Sequence, residues 1–106
     1  MGRLLQPDIV VVRREQLTGR KVVGLPLLAV EVLSPSTRAT DLTLKRHVFE
    51  QAGVPSYWLL DPEDAELTVL ELTDGAYREV AVARGTQPIV AERPFAVTVV
   101  PAQLLR

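Results

Sequence analysis

A single α/β domain spanning residues 1–106, built on a mixed β-sheet with a strand-helix-strand crossover and a C-terminal antiparallel hairpin, is predicted by three observations. Residues 27–33 (LLAVEVL) form an apolar run expected of a strand covered on both faces. Residues 44–52 carry apolar side chains at helical spacing and are closed by Gly53 and Pro55, after which YWLLD at 57–61 returns to strand character. Asp74-Gly75 then sits between two further strand-like runs, a strong hairpin signal.

Composition narrows the class. With 47% hydrophobic and 24% charged residues, the chain has the balance of a folded domain rather than a disordered or fibrous one. Its net charge of -1 gives no overall basic field to attract nucleic acid, so such a role needs a local patch. Zero Cys excludes a disulfide framework and a thiolate zinc site, and a single His leaves few nitrogen ligands, so any metal would be held by oxygen. The N-terminal MGRLLQPDIVVVRR has apolar stretches too short and too interrupted for a signal peptide or membrane span, and the expected location is the cytoplasm.

In order, Pro7-Asp8 opens a strand over Asp8 to Arg13, whose Ile9 to Val12 are continuous enough to predict burial on both faces. Arg13 to Lys21 is polar, contains Gly19 and reads as a surface loop holding the densest basic group. After the strand at 27–33, Ser34-Pro35-Ser36-Thr37 has the hydroxyls and Pro of a helix entry. The helix is expected over Thr37 to Ala52, with Leu44, Val48, Phe49 and Ala52 as its buried stripe and His47 exposed. Asp41 lies near the positive end of the helix dipole and four residues before Lys45. Tyr57 to Asp61 should run parallel to the preceding strand, since the helix between them makes a crossover. Leu67 to Leu72 and Tyr77 to Ala83 form the antiparallel pair; Ala96 to Val100 is a short strand and Pro101 to Leu105 a terminal helical turn.

Glu31 is the anomaly. A lone ionised carboxylate inside an apolar strand is disfavoured by several kcal/mol unless it is neutralised, hydrogen-bonded or bound to a cation. Asp8, at the mouth of the neighbouring strand, supplies a second carboxylate, and the residue after Glu31, Val32, supplies a backbone carbonyl. Two carboxylates and a carbonyl are a hard-oxygen set suited to Mg²⁺ or Mn²⁺, which activates a water for attack on a phosphodiester. Lys45, on the following helix, is placed to orient that water or offset charge on the phosphate. Each has a plainer reading: a Glu31 satisfied by Arg or backbone donors, an Asp8 capping a turn, a Lys45 paired to Asp41. Arg38 falls near any bound phosphate but has the composition of a solvated loop arginine. Tyr57 and Trp58 have the faces to stack a base, yet on a central strand they read first as core, and Asp61 before Pro62 reads as a turn residue.

At these residues the chain resembles the PD-(D/E)xK nuclease superfamily and, more closely, its Uma2 family. The resemblance rests on Pro7-Asp8 and its apolar strand, on Leu28-Ala29-Val30-Glu31-Val32-Leu33-Ser34-Pro35-Ser36-Thr37, on Asp41 and Lys45, and on Ala52-Gly53-Val54-Pro55-Ser56-Tyr57-Trp58-Leu59-Leu60-Asp61. It implies a restriction-endonuclease-like core, a metal-dependent endonuclease activity on DNA, and Asp8, Glu31 and the Val32 carbonyl as metal ligands. The superfamily lysine, two positions after the acid, is Leu33 here, and Lys45 matches a position relocated to the helix. Members of the family usually carry more strands and helices before the Pro-Asp, whereas six residues precede Pro7 here, so the expectation is an N-terminally truncated member, a fragment, or a chain that covers its exposed sheet by forming a homodimer. The rival reading, from another class, is a catalytically inactive remnant serving association or nucleic-acid binding; stabilisation by added metal separates the two.

Overall fold

The computed structural model describes residues 8–18, 21–22, 24–34 and 39–105, with the side chains of 17, 18, 21, 22 and 39–41 left out. The chain runs through β1 (Ile9–Val11), a 3-10 turn (Arg14–Gln16), β2 (Leu17–Thr18), β3 (Lys21–Val22) and β4 (Leu28–Val32) into α1 (Ala39–Ala52). Then come β5 (Ser56–Asp61), β6 (Glu66–Thr73), β7 (Ala76–Arg84), β8 (Ile89–Ala91), β9 (Val97–Val99) and α2 (Pro101–Leu104). The main sheet has the order β1-β4-β5-β6-β7, parallel only between β4 and β5, where α1 is the crossover. This is the predicted mixed sheet with its strand-helix-strand unit and hairpin.

The pleat of β4 and β5 divides the core in two. Leu28, Trp58 and Leu60 face one side with Leu67, Val69, Ala83 and the β8–β9 hairpin residues Ile89, Ala91 and Val99. Ala29 and Tyr57 face the other, under Phe49 of α1, with Val54, Leu70 and Tyr77. Apolar side chains on both faces explain why 27–33 and 57–61 read as continuous runs.

Strand β7 switches allegiance along its length. Val69 pairs with Ala81 but Leu70 with Glu79, so Val80 is an extra residue bulged out and exposed. Tyr77 therefore joins the α1-side core and Ala83 the hairpin-side core, although both carry odd numbers.

Helix α1 stops where expected. Gly53 has φ +87°, and the Val54 N–H reaches the Phe49 carbonyl at 3.1 Å while the Gly53 N–H reaches that of Glu50 at 3.1 Å. This pattern uses the last free carbonyls of the helix and needs a left-handed residue, which glycine supplies without strain.

Three expectations are corrected. The strand at 8–13 is shorter and is the outer strand of the sheet, with Ile9 53% and Val10 38% exposed, because β4 covers one edge and no strand pairs the other among the described residues. The loop at 13–21 contains a 3-10 turn and the first strand of the small β2–β3 hairpin. Residues 89–91 form a further short strand, held by pairing with β9. Leu44 is 49% exposed rather than part of the buried stripe. The face of α1 turned to the sheet runs through Leu42, Lys45, Phe49 and Ala52, and Leu44 lies two residues, about 200°, from Leu42. The predicted helix entry at 35–37 lies outside the described residues.

Candidate active site

The site is built by the pairing of β1 with β4. Ile9 lies opposite Val30 and Val10 opposite Ala29, and one more step of that register sets Asp8 opposite Glu31. Residues directly opposite in an antiparallel ladder project from the same face, so both carboxylates leave the sheet on the side of α1. Asp8 is exposed, and its Oδ2 accepts a hydrogen bond from the Val32 N–H at 2.7 Å. Since the N–H and C=O of one strand residue point the same way, the Val32 carbonyl is turned toward the Asp8 side of β4. The Leu33 N–H turns the other way, to the Leu60 carbonyl at 2.8 Å.

Glu31 itself is 2% exposed. Its Oε2 is held by the Lys45 ammonium at 2.9 Å, a reach made possible because Lys45 occupies the sheet-facing stripe of α1. Its Oε1 is buried and has no hydrogen-bond partner among the described residues. Burial pushes the Glu31 carboxyl above its ordinary 4.5, against the hydrogen bond and charge of Lys45, and the nearby Asp8 charge adds to the rise.

That shift has a sign that can be measured. A carboxyl raised in the folded state takes up its proton more readily folded than unfolded, so its contribution to stability is full below pH 4.5 and is lost as pH climbs through the folded value. In metal-free protein, the stability of the wild type relative to Glu31→Gln should fall as pH rises through this window. Parallel stability curves from urea unfolding at several pH values would contradict it.

Behind this pair, Phe49 and Tyr57 meet edge to face at 5.4 Å and Tyr57 and Tyr77 lie at 5.3 Å, tilted by 31°. The Arg46 guanidinium donates to the Tyr77 carbonyl at 3.0 Å, and Glu50 accepts the Tyr77 N–H at 2.8 Å. These contacts tie α1 to β7 and keep Lys45 aimed at β4.

Asp8, Glu31, Val32 and Lys45 are thus brought together at one end of β4. Other candidates are not. Asp61 accepts the Glu63 N–H at 3.0 Å and serves its turn, His47 is exposed, and Trp58 is buried in the core on the opposite face. Arg38 and the side chain of Asp41 lie outside the described residues. Among those described, no group of three or more His, Cys, Asp or Glu side chains is gathered for a metal, so any ion here would rest on two carboxylates and backbone oxygen. Among them too, no helix is long and apolar enough to cross a membrane.

Residues 2–103 match the model of the Uma2 family, described as "Putative restriction endonuclease". Among solved structures, the chain is similar to one described as a "putative nuclease belonging to DUF820" from Anabaena variabilis, with 20% sequence identity and a TM-score of 0.64. The alignment covers 93% of this chain and 58% of that protein, so the chain spans little more than half the length of its structural relative. No curated protein matches the chain.

Proposed function

The chain belongs to the Uma2 family, and from that premise we propose that it is a metal-dependent endonuclease hydrolysing DNA phosphodiester bonds. Asp8 and Glu31 are the metal ligands, the Val32 carbonyl the third, and Lys45 the assisting cation. The observation that carries this reading is the juxtaposition of Asp8 with a Glu31 whose inner oxygen is buried and unbonded. Leaving such an oxygen without a partner costs about 1–3 kcal/mol or more, and a cation beside it removes the cost.

The donors fit the group. Oxygen from two carboxylates and a carbonyl suits Mg²⁺ or Mn²⁺, which bind through few protein ligands and keep positions for water and phosphate oxygens. When bound, the cation supplies an activated water and offsets charge on the phosphate. The protein's own groups do the rest. Lys45 holds Glu31 through Oε2 and, 17% exposed, presents its remaining N–H groups toward an incoming phosphate. The Val32 N–H fixes the rotamer of Asp8 through Oδ2, leaving Oδ1 for the ion. The reading extends to a cytoplasmic homodimer, in which a second copy covers the exposed Ile9 and Val10 of β1.

Cleavage of labelled duplex DNA tests the assignment. The wild type should cut with Mg²⁺ or Mn²⁺ and stop with chelator, while Lys45→Met should cut ~10²–10³-fold more slowly yet still bind Mn²⁺. Wild-type protein inert with either ion, or cutting equally in chelator, would sink it.

A further inference from the structure

The charge of this chain is divided along its length, and the sheet keeps the two parts on different flanks. Residues 1–50 carry eight Lys and Arg against five Asp and Glu, while residues 51–106 carry four against eight. With the strand order β1-β4-β5-β6-β7, the first half supplies β1, β4 and α1, and the second half ends in β6 and β7 at the far edge. Asp8 and Glu31 are two of the five acids of the first half, so the half that holds the candidate site is otherwise the positive one. A polyanion approaching such a molecule is drawn to one flank and turned away from the other.

Within that half, two cations are presented on a braced turn. β1 leads through Val12 into the 3-10 turn Arg14–Gln16, and Arg13 and Arg14 are both exposed. Gln16 ties the turn down: its N–H donates to the Arg13 carbonyl at 2.9 Å, its Oε1 accepts the Arg13 N–H at 2.8 Å and its Nε2 donates to the Leu25 carbonyl at 2.6 Å. At about three residues per turn, Glu15 projects to a different side from Arg14. Among the described residues the ion pairs are Lys45–Glu31, Arg46–Glu50 and Arg84–Glu66, so no carboxylate there neutralises Arg13 or Arg14. Guanidinium groups held on a fixed backbone without an acid partner suit phosphate oxygens, which they meet through paired N–H donors.

The turn stands at the opposite end of β1 from Asp8. Five residues at about 3.3 Å each place Arg13 roughly 17 Å from Asp8 along the strand, the length of about five base pairs at about 3.4 Å. That is too far for a part at the scissile phosphate and within reach of another phosphate on the same duplex. Resting on the nuclease reading given above, we propose that the Arg13–Arg14 turn is a backbone grip for duplex DNA, holding phosphates about five base pairs from the bond at the candidate site. It supplies affinity and register and no sequence preference, since phosphates are alike at every step.

Fluorescence anisotropy of a labelled duplex, titrated in chelator over a series of NaCl concentrations, tests the grip in the full chain. Each phosphate neutralised contributes about 0.9 to the slope of log affinity against log salt, so Arg13→Gln combined with Arg14→Gln should lower the slope by about 2 and weaken binding about tenfold or more at low salt. Arg78→Gln, which removes an exposed arginine of β7 in the acidic half, should leave the slope unchanged. All three side chains are exposed, so the fold is kept. An unchanged slope in the double variant, an equal fall with Arg78→Gln, or a wild type that cuts with Mn²⁺ yet binds no duplex in chelator overturns the grip and leaves the nuclease reading intact. A wild type that binds duplex through these arginines and never cuts it overturns the nuclease reading and keeps the grip; one that neither binds nor cuts overturns both.

Discussion

Glu31→Gln should lose more than about 100-fold in DNA cleavage, since removing a direct ligand costs more than removing a group that merely orients one. Gln keeps the volume and one oxygen, so the fold should survive, with the Lys45 ammonium partly exposed and able to draw on solvent. The same substitution should cancel stabilisation by metal. Wild-type protein at a Mn²⁺ concentration 100 times Kd gains about 2.7 kcal/mol, and the variant should gain almost none. Differential scanning fluorimetry with and without Mn²⁺ reads this directly, alongside the cleavage assay. If neither protein responds to metal and the variant is the more stable at neutral pH, Glu31 is a buried charge with no ligand role, and the inactive-remnant reading takes its place.

Phe49→Ala is expected to cost about 3–5 kcal/mol, the range for deleting a buried aromatic side chain. A domain of this size has only about 5–15 kcal/mol in total, so the variant should be near unfolding at room temperature. The reason is position: Phe49 is 0% exposed, packs against Tyr57 and joins α1 to the core that also holds Ala29, Val54, Leu70 and Tyr77. Leu44→Ala, five residues earlier on the same helix but 49% exposed, should change stability by no more than about 0.5 kcal/mol. Urea midpoints of the two variants measure the difference. Similar losses would mean that Leu44 is buried in solution and that α1 is rotated relative to the sheet.

Much of this architecture was legible because its signals are local. Asp74 and Gly75 both adopt positive φ, 54° and 83°, so the dipeptide that announced a hairpin is the one whose residues tolerate that turn. Gly53 marked the end of α1 for a similar reason. The exposure of β1 was not legible, since Ile9, Val10 and Val11 are as apolar as the residues of a central strand and only the pairing order makes them an edge. The stripe of α1 was misjudged because Leu44 fits an i, i+4 series with Val48 and Ala52, while the residue turned toward the sheet there is a lysine. Strand β8 carries too few residues to stand out and exists because β9 pairs with it.

The order of residues alone determined the elements of the central unit, the singular acid within β4 and the chemistry open to it, because propensity, hydrophobic pattern and turn residues act over a few positions. Only tertiary structure decided which groups meet. It brought Asp8, from 23 positions away, across from Glu31, aimed Lys45 at one carboxylate oxygen and left the other bare, and set Tyr57 on the same face of the sheet. Those meetings depend on strand register and helix rotation, which are set by how the whole core packs and by no stretch of the chain taken singly.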